Sequence, residues 1–223
     1  MSLFSRIADN ENKDSWASEL RRRRMAFFSN LLQTLPRPVK ILDVGGTETY
    51  WEILEMAGNP EFQITLLNLK EVDVHFPNLS SVVGDATAMG EFGDQSFDVV
   101  YSNSVIEHVG NLDRQRKMAN EIMRIGKNFF VQTPNLYFPI EPHFVFPCFQ
   151  FLPVSVRVFL LQRFKLGWIP KTPDKKKAEE LVREVRLMTR KELLQVFPGR
   201  SLEAEKFMGM VKSWMVYSGF EAQ

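Results

Sequence analysis

The sequence predicts an α/β fold: a doubly wound, mostly parallel sheet with helices on both faces and a C-terminal antiparallel hairpin. Two observations support this prediction. Between Val39 and Thr133, short apolar runs of strand type alternate with segments of helical periodicity, which is typical of parallel sheets with right-handed crossovers. Near the C-terminus, the strand-like runs Ser201–Phe207 and Val211–Ser218 are separated by only three residues, which favours antiparallel pairing.

The predicted elements follow in order along the chain. Apolar residues at near-helical spacing predict a helix over residues 13–35, which Pro36 and Pro38 end. The next predicted strands are Val39–Val44, Gln63–Leu69, Ser80–Val83, Phe97–Ser102 and Asn128–Thr133. Helices are predicted between them at Glu48–Ala57 and Leu112–Ile125.

The alternating pattern ends at Pro134. Residues 134–175 are rich in proline and aromatic side chains, and we predict an inserted lid with a short helix at Val154–Phe164. A basic linker, Lys171–Lys177, should lead to a helix over Ala178–Leu187. A last helix should start at Thr189, where Thr-Arg-Lys-Glu fits a capping box.

Length and composition limit the class of protein. With 223 residues, of which 44% are hydrophobic, the chain suits a single domain, 1–223, with a helical segment over 1–36. A net charge of +1 gives no electrostatic case for nucleic-acid binding. The single Cys148 excludes an internal disulfide and a cysteine zinc site, and with no visible secretory signal it favours a cytoplasmic location. The oligomeric state is not predicted.

A run of four arginines, Arg21–Arg24, lies in the first predicted helix. Charge runs of this length usually form a solvated helix face, and that is the expected explanation here. Contact with a phosphate group or an acidic lipid is the alternative. The sequence alone does not distinguish these two, because both need the same exposed guanidinium groups.

Asp43, Gly45 and Gly46 follow the first predicted strand directly. In a parallel sheet, ligands bind beyond the carboxyl ends of the strands. Glycines there let ligand atoms approach the backbone N–H groups closely. The pattern therefore predicts a ligand site at this turn, although a plain tight turn would give the same residues.

Further motifs follow in order: Gly84-Asp85 after the third strand, and Phe97-Asp98-Val-Val-Tyr-Ser-Asn leading into Val-Ile-Glu-His. Together with Asp43-Val-Gly-Gly, they resemble the class I S-adenosylmethionine-dependent methyltransferases, notably the type 11 group, over about Val39–Pro134. The resemblance implies a Rossmann-like sheet, S-adenosylmethionine as cofactor, and methyl transfer to a small-molecule acceptor.

The resemblance also implies a role for each matching residue. Asp43 would order the loop or bind the methionine amine, and Gly45 and Gly46 would approach the methionine moiety. Asp85 would accept a hydrogen bond from the adenine amino group, with Ala86 beside the ring.

At the mouth of the fourth strand, the resemblance places Asn103 and Ser104 near the sulfonium.

Two departures from the family pattern stand out. Thr47 and Thr49 replace later glycines, so the backbone there should be ordinary, because β-branched residues resist positive φ. Asn68 stands where the family has an acidic residue that binds the ribose hydroxyls. Nearby acidic residues that could substitute are Glu71 and Asp73.

His108 and His143 are the candidate catalytic residues, because a hydroxyl acceptor needs a base. A structural histidine is the alternative for each. A divalent metal held by Glu107, His108, Glu141 and His143 is another alternative. Related metal-dependent enzymes carry a further Glu where this chain has Ser104, so we expect no metal.

The aromatic lid favours a lipophilic or aromatic acceptor, methylated at oxygen. An ordinary hydrophobic plug is one alternative, and a peripheral membrane-surface contact around Phe149–Leu161, with Trp168 at the interface, is another. Two other functions compete with methyl transfer. One is a non-catalytic cofactor-binding scaffold of the same fold. The other is a nicotinamide-dependent oxidoreductase, which the absence of Gly-x-Gly-x-x-Gly disfavours.

Overall fold

The computed structural model describes residues 16–220, and only the backbone of residues 16 and 17. The start of the first predicted helix, 13–15, and both ends of the predicted domain lie outside this range. In chain order the strands are β1 (Val39–Val44), β2 (Phe62–Asn68), β3 (Leu79–Val83), β4 (Phe97–Asn103), β5 (Gly126–Pro134), β6 (Ile140–Glu141), β7 (Phe146–Pro147), β8 (Ser201–Phe207) and β9 (Met210–Ser218). The α-helices are α1 (Trp16–Leu32), α2 (Glu48–Ile53), α3 (Leu112–Ile125), α4 (Val154–Arg163), α5 (Lys175–Glu184) and α6 (Arg190–Val196).

Seven strands form one sheet in the order β3-β2-β1-β4-β5-β9-β8. The first five of these run parallel, and β9 and β8 pair antiparallel as a hairpin. The predicted mostly parallel sheet with a C-terminal hairpin is therefore confirmed. The strand order reverses direction between β1 and β4, which is where such sheets bind ligands.

Helices cover both faces of this sheet. On one face, Phe28 of α1 and Trp51 of α2 pack against Tyr101 of β4. On the other face, Ile122 of α3 packs against Val100, the neighbour of Tyr101. Adjacent strand residues point to opposite faces, so β4 contributes to both hydrophobic cores.

The segment after β5 has a hydrophobic core of its own. It contains the paired strands β6 and β7 and helix α4, which packs against α5. Its buried side chains are Phe144, Phe149, Val158, Leu161, Leu166, Ala178 and Val182. The segment predicted to be a lid thus shares a hydrophobic core with α5, and its role as a lid stays a prediction.

Two boundary predictions are wrong for local reasons. The helix predicted over Glu48–Ala57 ends at Ile53, because Glu55 has φ +57° and cannot continue it. The predicted linker Lys171–Lys177 ends early, because Asp174 caps α5 by accepting from the Lys177 N–H at 2.7 Å. The capping box at Thr189 is confirmed by both of its reciprocal hydrogen bonds. None of the described helices is long and apolar enough to cross a membrane.

Candidate active site

Both positions of the turn after β1 require glycine, because the neighbouring side chains leave no room for a Cβ atom. Gly45 has φ +78°, and a Cβ there would lie 2.5 Å from Val105 Cγ2. A Cβ on Gly46 would lie 1.6 Å from Asp43 Oδ2. Thr47 has φ −132°, the ordinary backbone predicted for a β-branched residue. Larger residues at 45 and 46 would therefore displace either Val105 or the Asp43 carboxyl group.

Asp43 lies beneath this turn and is 2% exposed. Its Oδ2 accepts a hydrogen bond from Trp51 Nε1 at 2.8 Å. Burial raises the pKa of Asp43 to about 7, although the Trp51 hydrogen bond acts in the opposite direction. The carboxyl group thus links the turn to α2, and its contact with a methionine amine stays a prediction.

Asn68, at the end of β2, also holds the turn. Its Nδ2 donates to the Gly46 carbonyl at 3.0 Å. The Oδ1 atom is left as the acceptor through which the predicted ribose contact would be made. The side chain that replaces the family's acidic residue therefore has a structural task that a carboxylate could not perform.

Asp85 follows β3 and shapes the next turn. Its Oδ1 accepts from the Thr87 N–H and hydroxyl, each at 2.8 Å, and its Oδ2 accepts from Arg114 at 2.8 Å. These partners, led by the Thr87 N–H, lower the pKa of Asp85. Each carboxylate oxygen can accept more than one hydrogen bond, so an adenine amino group would still find an acceptor. The neighbouring Ala86 packs against the core.

A cavity of about 420 Å³ opens at the carboxyl ends of β4 and β5. The predicted Asn103 and Ser104 line it, together with Thr47, which follows the turn, and Thr49 in α2. The lid supplies much of the remaining wall through Pro134, Phe138, Ile140, Pro142, Val145 and Trp168. Its volume is in the range of small-molecule sites.

Asn103 and Ser104 are unusual in this wall. Asn103 Oδ1 is buried and has no hydrogen-bond partner among residues 16–220, which is costly unless a ligand donates to it. Ser104 has φ +57°, a conformation rarely adopted by non-glycine residues. It is held there by its N–H and hydroxyl, which donate to the carbonyl and side chain of Gln132 at 3.0 and 2.8 Å.

Basic residues form a part of the cavity wall that the sequence analysis missed. Arg21, Arg24 and Lys212 line it. Arg22 and Arg23 are exposed and pair with Glu19, so the expected solvated face holds only for them. Arg24 is buried and pairs with Glu205 at 2.9 Å. The arginine run was a visible signal, whereas nothing in the sequence pointed to Lys212.

The structure brings His108 and His143 together. Their Nε2 atoms lie 3.1 Å apart, and Glu141 Oε1 lies 2.6 Å from His143 Nδ1. The buried Glu107 accepts from the Thr133 hydroxyl at 3.0 Å through Oε2, while its Oε1 has no partner in the described part of the chain. Neither imidazole lines the cavity, but Pro142, which precedes His143, does.

The environments of the two histidines shift their pKa values in opposite directions. Burial, and then the charge of His143, lower the pKa of His108 to about 4. For His143, burial acts to lower the pKa, but the hydrogen bond and charge of Glu141 with other nearby carboxylates outweigh it and raise the pKa. Burial raises the pKa of Glu107 to about 7. These shifts favour a neutral His108 ring beside a His143 ring that holds its proton more firmly.

Ligand atoms of Glu107, His108 and His143 lie within 4.8 Å of one another. Two imidazoles and a carboxylate are a donor set that zinc and other transition metals accept. Glu141 holds His143 Nδ1 in the way that carboxylates orient metal-ligating histidines. The same three residues can therefore act as a proton-accepting group or as metal ligands.

Comparison with known proteins agrees with this geometry. Residues 42–128 match the family model for a methyltransferase domain. This stretch of the chain is therefore similar to a methyltransferase domain. The match begins in β1 and ends in β5, so it includes the glycine turn, Asp85 and the Val-Ile-Glu-His segment.

Two relatives are the uncharacterized proteins MT1557 and Rv1509 of Mycobacterium tuberculosis. Each is 26% identical over 137 residues, covering 55% of this chain and 46% of the relative. The chain thus spans about half the length of these relatives.

Solved structures show the same fold. A SAM-dependent methyltransferase from Aquifex aeolicus has a TM-score of 0.50 at 12% identity, covering 90% of this chain and 96% of its own. The carbon methyltransferase CurJ has a TM-score of 0.55 at 12% identity, covering 92% and 55%. At these identities the likeness concerns the fold alone.

The family implies S-adenosylmethionine as the cofactor. The residues present fit such a ligand, because Asn103 Oδ1 is a buried acceptor without a partner among the described residues, and Asn103 lines the cavity together with Thr47, which follows the glycine turn. Asn68 and Asp85 offer acceptors farther along the same edge of the sheet, at the ends of β2 and β3.

Proposed function

We propose that this protein transfers a methyl group from S-adenosylmethionine to a small lipophilic or aromatic acceptor, at oxygen. The observation that carries the proposal is the cavity of about 420 Å³ between the family's glycine turn and the lid. The predicted cofactor residues Asn103 and Ser104 form one part of its wall, and apolar lid side chains form another.

Bound S-adenosylmethionine supplies a methyl group on a positively charged sulfur. The chain's own residues hold that ligand: Gly45 and Gly46 at the methionine end, Asn68 at the ribose, and Asp85 with Ala86 at the adenine. Exposed Leu69 and Val83, 77% and 58% exposed, lie at the ends of β2 and β3 and provide an apolar surface for a planar ring. Asn103 and Ser104 would lie beside the reacting centre.

The acceptor would lie against the lid. Phe138, Ile140 and Val145 provide an apolar wall, and alignment of acceptor and methyl group accounts for most of the rate in such displacements. An acceptor hydroxyl must also lose its proton. We assign that proton to the His108–His143 pair, which does not line the cavity and would be reached through a water molecule.

The test is a transfer assay with radiolabelled S-adenosylmethionine and a panel of phenols, matched anilines and thiophenols. Labelled product from phenols supports the proposal in full. Label on nitrogen or sulfur acceptors alone would retain methyl transfer and reject oxygen as its target. Absence of any labelled product, with cofactor bound, would favour the non-catalytic scaffold.

A peripheral membrane contact is a second candidate property, favoured by one observation. Aromatic lid side chains that do not face its core are exposed: Tyr137 66%, Phe151 52%, Phe159 51%, Phe164 57% and Trp168 51%. Basic Arg163 lies over the Phe159 ring at 4.9 Å, a combination suited to an interface. Co-sedimentation with anionic vesicles, lost in Phe159→Ser, tests it. The predicted cytoplasmic location would place such a surface on the inner leaflet.

A further inference from the structure

A β-bulge directs an extra cation into the cavity. Glu205 pairs with Ser213, but Lys206 pairs with Val211, so Lys212 is the additional residue on β9. Lys212 and its neighbour Ser213 both line the cavity, which the alternation of a regular strand would not allow. Bulges re-aim side chains in this way beside functional sites.

The buried carboxylate near this bulge is already neutralised. Glu205 accepts from Arg24 Nη1 at 2.9 Å and from the Ser213 hydroxyl at 2.5 Å. Arg24 is 9% exposed, and its Nε is buried and finds no hydrogen-bond partner within the described residues. The guanidinium group thus retains an unused donor in the wall of the cavity.

Two further cations line the cavity without a direct ion pair to any described residue. Neither Arg21 nor Lys212 forms an ion pair with a described residue, and no described lining residue is acidic. Burial lowers the pKa of Lys212, and the positive charges of Arg24 and Arg21 lower it further, against the effect of Glu205. A partly buried wall with excess positive charge is stabilised by an anion.

We propose that Arg21, Arg24 and Lys212 bind an acid group, a carboxylate or a phosphate, carried by the methyl acceptor. That the acid group belongs to a methyl acceptor rests on the proposed function, whereas the anion site itself does not. The ligand is then amphipathic: its ring or chain contacts the lid, and its acid group lies between α1 and β9.

The cofactor also carries a carboxylate, and the strand order separates the two sources. In the sheet, β9 is three strands from β1, which is about 14 Å because neighbouring strands lie about 4.8 Å apart. A methionine group at the glycine turn is therefore distant from Lys212. We assign the anion site to the acceptor for this reason.

The experiment is calorimetric titration of benzoate and its neutral analogue benzamide into the protein saturated with S-adenosylhomocysteine. The variant is Lys212→Gln, and the matched control is Lys206→Gln, an exposed lysine of the same hairpin. Arg21→Gln is compared with the exposed Arg22→Gln in the same way. Arg24 is left intact, because its removal would leave the buried Glu205 carboxylate without its paired cation.

We expect benzoate to bind at least about tenfold more tightly than benzamide, and Lys212→Gln to remove about tenfold of benzoate affinity, the scale of a hydrogen bond to a charged group. Benzamide and S-adenosylhomocysteine affinities should stay unchanged. Equal binding of benzoate and benzamide, or no benzoate binding, would overturn the site. Weaker binding of S-adenosylhomocysteine by Lys212→Gln would also overturn it, because the cations would then bind the cofactor. If S-adenosylhomocysteine does not bind but unliganded protein still prefers benzoate, the anion site stands and the proposed methyltransferase function fails.

Discussion

The Nε2 atoms of His108 and His143 lie 3.1 Å apart, so one ring must donate and the other accept. Glu141 fixes the far side of His143 at 2.6 Å. These contacts join the lid to the segment that follows β4. A movement of the lid would therefore change the distance between these two rings.

If the pair accepts the acceptor's proton, His108→Ala should lower kcat by about 10²–10⁴ with little change in cofactor affinity. His75→Ala is the control, because that imidazole is exposed and pairs with Glu48, away from the cavity. The measurement is initial rate at saturating S-adenosylmethionine. A chelator should not reduce the wild-type rate. Loss of activity with chelator and recovery with a divalent ion would instead assign Glu107, His108 and His143 to a metal.

Asp43 should make stability depend on pH. Its pKa in the folded state, about 7, lies above the unfolded value of about 3.9, so the folded state binds more protons between these values. The free energy of unfolding should therefore fall as pH rises from about 4 to about 7.

Asp43→Asn keeps an acceptor for Trp51 and removes this titration. Urea unfolding between pH 5 and 7 should show wild type losing roughly 1–3 kcal/mol relative to the variant, at about 1.4 kcal/mol per pKa unit. Because Glu107 titrates in both proteins, only their difference reports on Asp43. Parallel curves for the two proteins would contradict the buried, raised-pKa carboxyl group.

Asn68→Asp should destabilise the unliganded protein by about 1 kcal/mol or more, because it replaces the donor to the Gly46 carbonyl with an acceptor. Gln63→Glu, at the exposed opposite end of β2, is the matched amide-to-acid control. Urea midpoints measure both. An unchanged midpoint in Asn68→Asp would mean that the amide does not hold the turn.

Asp85→Ala should weaken S-adenosylhomocysteine binding by about 1–3 kcal/mol if the carboxylate accepts from adenine. Arg114→Gln separates this role from the ion pair, since it keeps the carboxylate and removes its cation. That variant should bind within about twofold of wild type. Equal weakening in both variants would show that Asp85 acts by maintaining the ion pair.

Local signals explain what the sequence predicted well. The strands, the glycine turn and the Thr189 capping box each depend on residues close together in the chain. The Asp174 cap was equally local but was missed, because the lysines after it suggested a linker. The backbone at Thr47 was also predictable, because a β-branched residue resists positive φ, and its φ is −132°.

The charged wall of the cavity was not predictable in this way. Arg24 and Glu205 are 181 residues apart in the chain, and only the packing of α1 beside β8 brings them together. The position of Lys212 depends on a bulge that alternation of hydrophobic residues does not reveal. The pairing of His108 with His143 likewise required the fold of the lid, although both residues were candidates from the sequence.

The central claim is that the site at the carboxyl ends of the parallel strands binds S-adenosylmethionine. Calorimetric titration with S-adenosylhomocysteine and, separately, NADH tests it most directly. The account predicts binding of S-adenosylhomocysteine at micromolar strength, a raised melting temperature in its presence, and no heat with NADH. Tight binding of NADH without binding of S-adenosylhomocysteine would contradict it.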